Sequence, residues 1–94
     1  MAYSFSDITG NVVGDGPSIN GLRELKAFVQ EQGAEEYPSI GHLFEHGYTK
    51  RLLQLGKECR SLAKRATNKD IKITIVSLGK SATKAKELLI MEDA

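Results

Sequence analysis

One amphipathic stretch limits the architectures open to this chain more than any other feature. From about Thr49 to Ala66, Leu52, Leu55, Cys59, Leu62, Ala63 and Ala66 fall within a narrow arc at 100° per residue. Lys50, Lys57, Arg60 and Lys64 lie on the other side. A segment of this kind is a helix with one buried face and one basic face. The remaining elements must supply apolar surface to cover it.

Two further helices are expected before it. Between about Ser18 and Gln32, Leu22, Leu25, Phe28 and Val29 recur at helical spacing. Pro17 suits the first turn of that helix, where its missing N–H costs nothing. Gly33 suits its end, because glycine takes a left-handed conformation at little cost. A shorter helix is expected from Pro38 to His46, with Ile40, Leu43 and Phe44 on one side and Gly47 as its stop.

Residues 69–91 carry two conflicting signals. Ile71-Lys72-Ile73-Thr74-Ile75-Val76 is β-branched and alternating, which suits a strand. Ile71, Ile75, Leu78, Ala82, Ala85 and Leu89 recur at helical spacing through the whole stretch. Asn68 stands at an N-cap position, and Asp70 suits a first turn. A strand here would find only the N-terminal arm as a partner, and a lone two-stranded sheet is marginal. The balance favours one long helix, at the cost of Gly79 inside it and of Ile73 and Val76 on its far side.

The expected fold is therefore mainly α: a small four-helix domain with an irregular N-terminal arm, for which a small hairpin is the alternative. One domain covers residues 1–94, with residues 1–17 as the arm and 18–91 as the helical core. The runner-up is an α+β fold in which the arm pairs with residues 71–76. With 94 residues, 40% of them apolar and 27% charged, the chain can bury one core of modest stability. A dimer would add buried surface.

Charge is sorted along the chain. Residues 1–49 hold two basic groups against seven acidic ones, a balance of −5. Residues 50–86 hold eleven against two, a balance of +9, and the last eight residues carry −3. The total of +1 hides this asymmetry. A field of this form orients an acidic partner, or a second copy of the chain.

Three motifs are weaker. His42-Leu43-Phe44-Glu45-His46 matches H-x-x-E-H, in which two histidines one turn apart grip a metal and the glutamate activates water. It needs a third ligand, which Glu58 or Glu87 would have to provide, and both histidines belong to the helix face turned to water. Gly79-Lys80-Ser81 resembles the end of a phosphate loop, but Thr74 stands where its first glycine belongs. Gly14-Asp15-Gly16 begins like a dinucleotide fingerprint, but Ile19 replaces the third glycine, so a flexible turn is expected instead. Cys59 lies between Leu55 and Leu62 on an apolar face, where a thiol is inert.

No catalytic residue, cofactor or small-molecule substrate follows from these residues. The expected function is a non-enzymatic protein-interaction module, with Lys50, Lys57, Arg60 and Lys64 as its contact residues. Its partner would be another protein or a second copy. Nucleic-acid binding through the lysine-rich residues 50–86 is the second reading, and a metal-dependent hydrolase built on His42, Glu45 and His46 a remote third. Eight of the eleven cations are lysines, which serve phosphates better than base edges, and no Phe, Tyr or Trp follows Tyr48 to stack on a base. One cysteine excludes an internal disulfide. The stretch Met1 to Asp7 has no signal-like character, and no apolar run spans a bilayer, so a cytoplasmic protein is expected.

Overall fold

The computed structural model describes residues 2–93; Met1 and Ala94, the outer limits of the expected domain, lie outside the described residues. In chain order the elements are β1 (Ala2–Ser6), β2 (Val12–Ser18), α1 (Ile19–Gln32), a single 3-10 turn (Ala34–Glu36), α2 (Pro38–His46), β3 (Tyr48–Thr49), α3 (Leu52–Arg65), α4 (Lys69–Ser81) and β4 (Leu88–Asp93). The strands form one antiparallel sheet in the order β2-β1-β4-β3. The fold is thus mixed α+β, which corrects the mainly α expectation.

The expected arm is a β-hairpin. Its turn is built by the Asp7 carboxylate, which accepts from the Thr9 and Asn11 backbone N–H groups at 2.9 and 3.0 Å and from the Thr9 hydroxyl. These bonds hold the Asp7 carboxyl below its ordinary pKa, the Thr9 hydroxyl most of all. Gly10 completes the turn at φ +91°. Gly14 and Gly16 lie in β2 rather than in a flexible turn. A Cβ on Gly14 would collide with the Ser81 side chain, and one on Gly16 with the Tyr3 carbonyl, so close packing requires both glycines.

The long helix expected over 69–91 ends at Ser81. Its start is as read: Asn68 Oδ1 accepts from the Asp70 and Ile71 N–H groups at 2.9 and 3.1 Å. Residues 71–76 are therefore helical, and the runner-up pairing of the arm with them does not form. After Ser81, Lys84 N–H bonds back to Ser81 and Thr83 Oγ1 to Lys80, closing a turn. The chain then returns as β4, and its residues from Leu89 to Asp93 lie opposite β1, from Ser6 back to Ala2. The third strand removes the objection to a lone hairpin. Backbone groups of β1 that a helical continuation would have left open are paired by β4.

Helices α1, α2 and α4 cover the sheet face that carries Phe5, Leu88 and Ile90, and α3 packs on α2 and α4. Leu25, Val29, Ile40, Leu43, Leu55, Leu62, Ile75 and Leu78 fill the space between. The opposite sheet face leaves Val12 and Met91 exposed. Pro17 is not in the first turn of α1. It sits buried at the end of β2, and Ser18 caps the helix by accepting from Gly21 N–H at 3.0 Å. Thr49 likewise belongs to β3, opposite Leu88, so α3 starts at Leu52 rather than Thr49.

Candidate functional site

Helices α3 and α4 pack against each other where Gly79 of α4 meets Cys59 of α3. A Cβ on Gly79 would come within 3.3 Å of Cys59 Cβ. On the solvent side of this seam the two helices diverge into a cleft of about 510 Å3, with Gly56, Cys59, Ala63, Ile75 and Gly79 in its floor and walls. A second hollow of about 540 Å3 continues from it between the start of α3 and the turn after α4. Gly56, Arg60 and Thr83 border both.

The four residues expected to contact a partner border this double cleft. Arg60 and Lys64 line the first hollow, and Lys50, Lys57 and Arg60 the second. Lys57, Arg60 and Lys64 are exposed on α3, as their spacing requires. Lys50 differs in two respects. It stands in the turn before α3 rather than on the helix, and its amine pairs with Glu87 at 3.6 Å. The Tyr48 hydroxyl, and after it the Glu87 carboxylate, raises the Lys50 pKa by favouring the charged amine.

The structure adds residues that sequence spacing did not single out. Lys80, from the last turn of α4, faces the first hollow, and Lys86, from the turn before β4, faces the second. Leu53 stands at the lip with 88% of its surface exposed. Positive charge also continues around α4, where Lys69, Lys72, Lys80 and Lys84 border a hollow of about 520 Å3 against β2. Among the described residues, no carboxylate lies within salt-bridge distance of Lys57, Arg60, Lys64, Lys80 or Lys86.

Glu58 is the most informative residue that helical spacing overlooked. It is only 3% exposed, on the inward side of α3 between Leu55 and Leu62. Its carboxylate accepts from Ser39 N–H at 2.9 and 3.1 Å, from Ile40 N–H at 3.0 Å and from the Gln54 amide at 3.0 Å. Tyr37 stands at the N-cap of α2 and supplies no side-chain cap. Glu58 therefore satisfies the orphan N–H groups of α2 from a different helix. The signal was present: Pro38 opens a helix with no Ser, Thr, Asp or Asn before it, and a lone carboxylate stands beside the apolar arc of α3.

That commitment bears on the histidine motif. His42 and His46 are exposed, with ring centroids 4.4 Å apart, and His46 Nε2 lies 4.0 Å from Glu45. Glu58 is held at the N-terminus of α2, and Glu87 pairs with Lys50. Among the described residues, no three His, Cys, Asp or Glu side chains converge on a metal position. His42→Ala and His46→Ala should each shift stability by no more than about 0.5 kcal/mol in a urea melt. Stoichiometric zinc in the purified protein, lost in either variant, would contradict this.

The other motifs resolve into structure. Gly79-Lys80-Ser81 closes α4 and offers no loop amides to a phosphate. Cys59 is 2% exposed, and its thiol is pushed up to about 12, first by burial and then by the Glu58 charge. It is a floor residue of the cleft, and protonated at neutral pH. No helix among the described residues is long and apolar enough to cross a membrane. Comparison of the chain with protein-family models, with curated proteins and with solved structures gave no match.

Proposed function

We propose that this protein is a non-enzymatic interaction module that holds an acidic protein segment against the α3–α4 face. The observation that supports this best is the pairing of a cationic rim with an apolar floor. Lys57, Arg60, Lys64, Lys80 and Lys86 stand around Cys59, Ala63, Ile75 and the exposed Leu53. A polypeptide carries carboxylates and aliphatic groups together and uses both parts of such a surface. A phosphate backbone uses only the rim, and among the described residues no aromatic ring borders the cleft for a base to stack on. A second copy of the chain is a less favourable occupant, since Glu36 in its acidic half is already engaged by Arg65 at 2.8 Å. The lone buried cysteine suits a reducing compartment, and we place the protein in the cytoplasm on that ground.

The Lys69, Lys72, Lys80 and Lys84 hollow favours nucleic acid as the second reading. Fluorescence anisotropy separates the two. The purified protein should bind a labelled glutamate-rich helical peptide, and unlabelled duplex DNA or RNA should displace it poorly. Tighter binding to a duplex than to the peptide would replace the protein reading with the nucleic-acid one.

A further inference from the structure

Gly56 lies in the middle of α3, where glycine weakens a helix relative to alanine. Nothing in the fold requires it there. Its φ is not positive, unlike that of Gly10, Gly33 and Gly47. A Cβ at this position would meet only the guanidinium Nη1 of Arg60, at 3.5 Å, the movable end of a long side chain. Gly79 across the seam is different, because Cys59 leaves it no room. Gly41 in α2 is equally unhindered but borders neither part of the cleft. Gly56 stands where the two hollows join, buried beneath the Arg60 guanidinium, which an occupant would have to displace.

We infer that the space over Gly56 is the seat of one aliphatic side chain of an acidic partner segment, with the surrounding cations receiving the carboxylates that flank it. This rests on the interaction reading above and names the partner's chemistry: an acidic helix or strand with a leucine-like anchor. Charge complementarity selects the acidic flanks, since among the described residues Lys50 alone of the rim forms a salt bridge. The floor of Cys59, Ala63 and Ile75 selects the aliphatic anchor. An added side chain at position 56 would occupy the seat from below.

The test uses labelled helical peptides of glutamate and alanine that differ at one central residue, alanine or leucine. The wild-type protein should bind the leucine peptide about tenfold more tightly, as three more partly buried carbons predict. In Gly56→Leu the preference should vanish, the leucine and alanine peptides binding with equal affinity. Gly56→Ala serves as the second variant, with a melting temperature at or above that of wild type and a reduced preference for leucine. Preference retained in both variants, or absent in the wild type, would overturn the seat and leave the charged face intact. Failure of the wild type to bind either peptide would overturn the interaction reading and this inference with it. A wild-type dimer that Gly56→Leu dissolves in sedimentation would make the occupant a second copy and overturn the heterologous partner.

Discussion

Glu58→Leu lowers the stability of the domain by about 3 kcal/mol or more, the largest loss expected from a single substitution outside the apolar core. Leucine preserves much of the side-chain volume, so the effect isolates the hydrogen bonds. Ser39 and Ile40 are each 1% exposed, and their N–H groups bond to the Glu58 carboxylate. Without an acceptor, each of these two buried donors costs about 1–3 kcal/mol. The start of α2 also loses the negative charge that opposes its dipole. For a chain of this size the total stability is about 5–14 kcal/mol, so the loss is a large part of it. A thermal melt should fall by about 12 °C or more. Glu58→Gln keeps one amide oxygen for the same donors and should cost about 1 kcal/mol. Guanidinium melts at unchanged m-value distinguish the two variants. A loss below about 1 kcal/mol for leucine would mean that water reaches the α2 amides, and that Glu58 is not their essential acceptor.

The same residue marks the limit of local pattern. Helical periodicity recovers α2 from Pro38 to His46, because a proline at one end and Gly47 at φ +76° at the other are local signals. It recovers the inward face of α3 for the same reason. Glu58 escapes because its partners are 18 and 19 residues earlier in the chain. The sheet escapes on a larger scale. Ala2 faces Asp93, and no window along the chain contains both ends. Leu88-Leu89-Ile90-Met91 has no polar alternation, and Leu89 falls on the helical stripe that starts at Ile71, so the stretch reads as the tail of α4.

That misreading also concealed half of the candidate site. Lys57, Arg60 and Lys64 were legible as the outer face of α3. Lys86 borders the cleft because the chain turns after Ser81, and Lys80 because Gly79 lets α4 pack against Cys59. Lys50 was assigned to the helix face, yet β3 holds Thr49 opposite Leu88 and delays the helix. The charge sorting was plain in the sequence. What it surrounds, an apolar cleft, is a property of how two helices meet.

Reversing Lys57, Arg60 and Lys64 to glutamate together strongly weakens binding of an acidic segment and leaves the fold intact. None of the three faces the core, and none has a salt bridge to a described residue. Each reversal removes two units of charge, taking residues 50–86 from +9 to +3. The rim of the cleft then repels what it attracted. Affinity for a glutamate-rich peptide should fall about a hundredfold, and the salt dependence of binding should flatten or invert, because exposed charges are screened over about 10 Å at 0.1 M. Glutamine at the same three positions removes attraction without adding repulsion and should fall between wild type and the reversed variant. Circular dichroism and a melting curve close to wild type confirm that α3 survives, with a small loss allowed for Lys64→Glu near the helix C-terminus. A lysine-rich peptide with the same aliphatic anchor provides the decisive arm. The reversed variant should bind it better than wild type does, since the floor is unchanged and the rim has changed sign. A folded triple variant that binds the acidic peptide with wild-type affinity and salt dependence would reduce the charge sorting to a solvated surface.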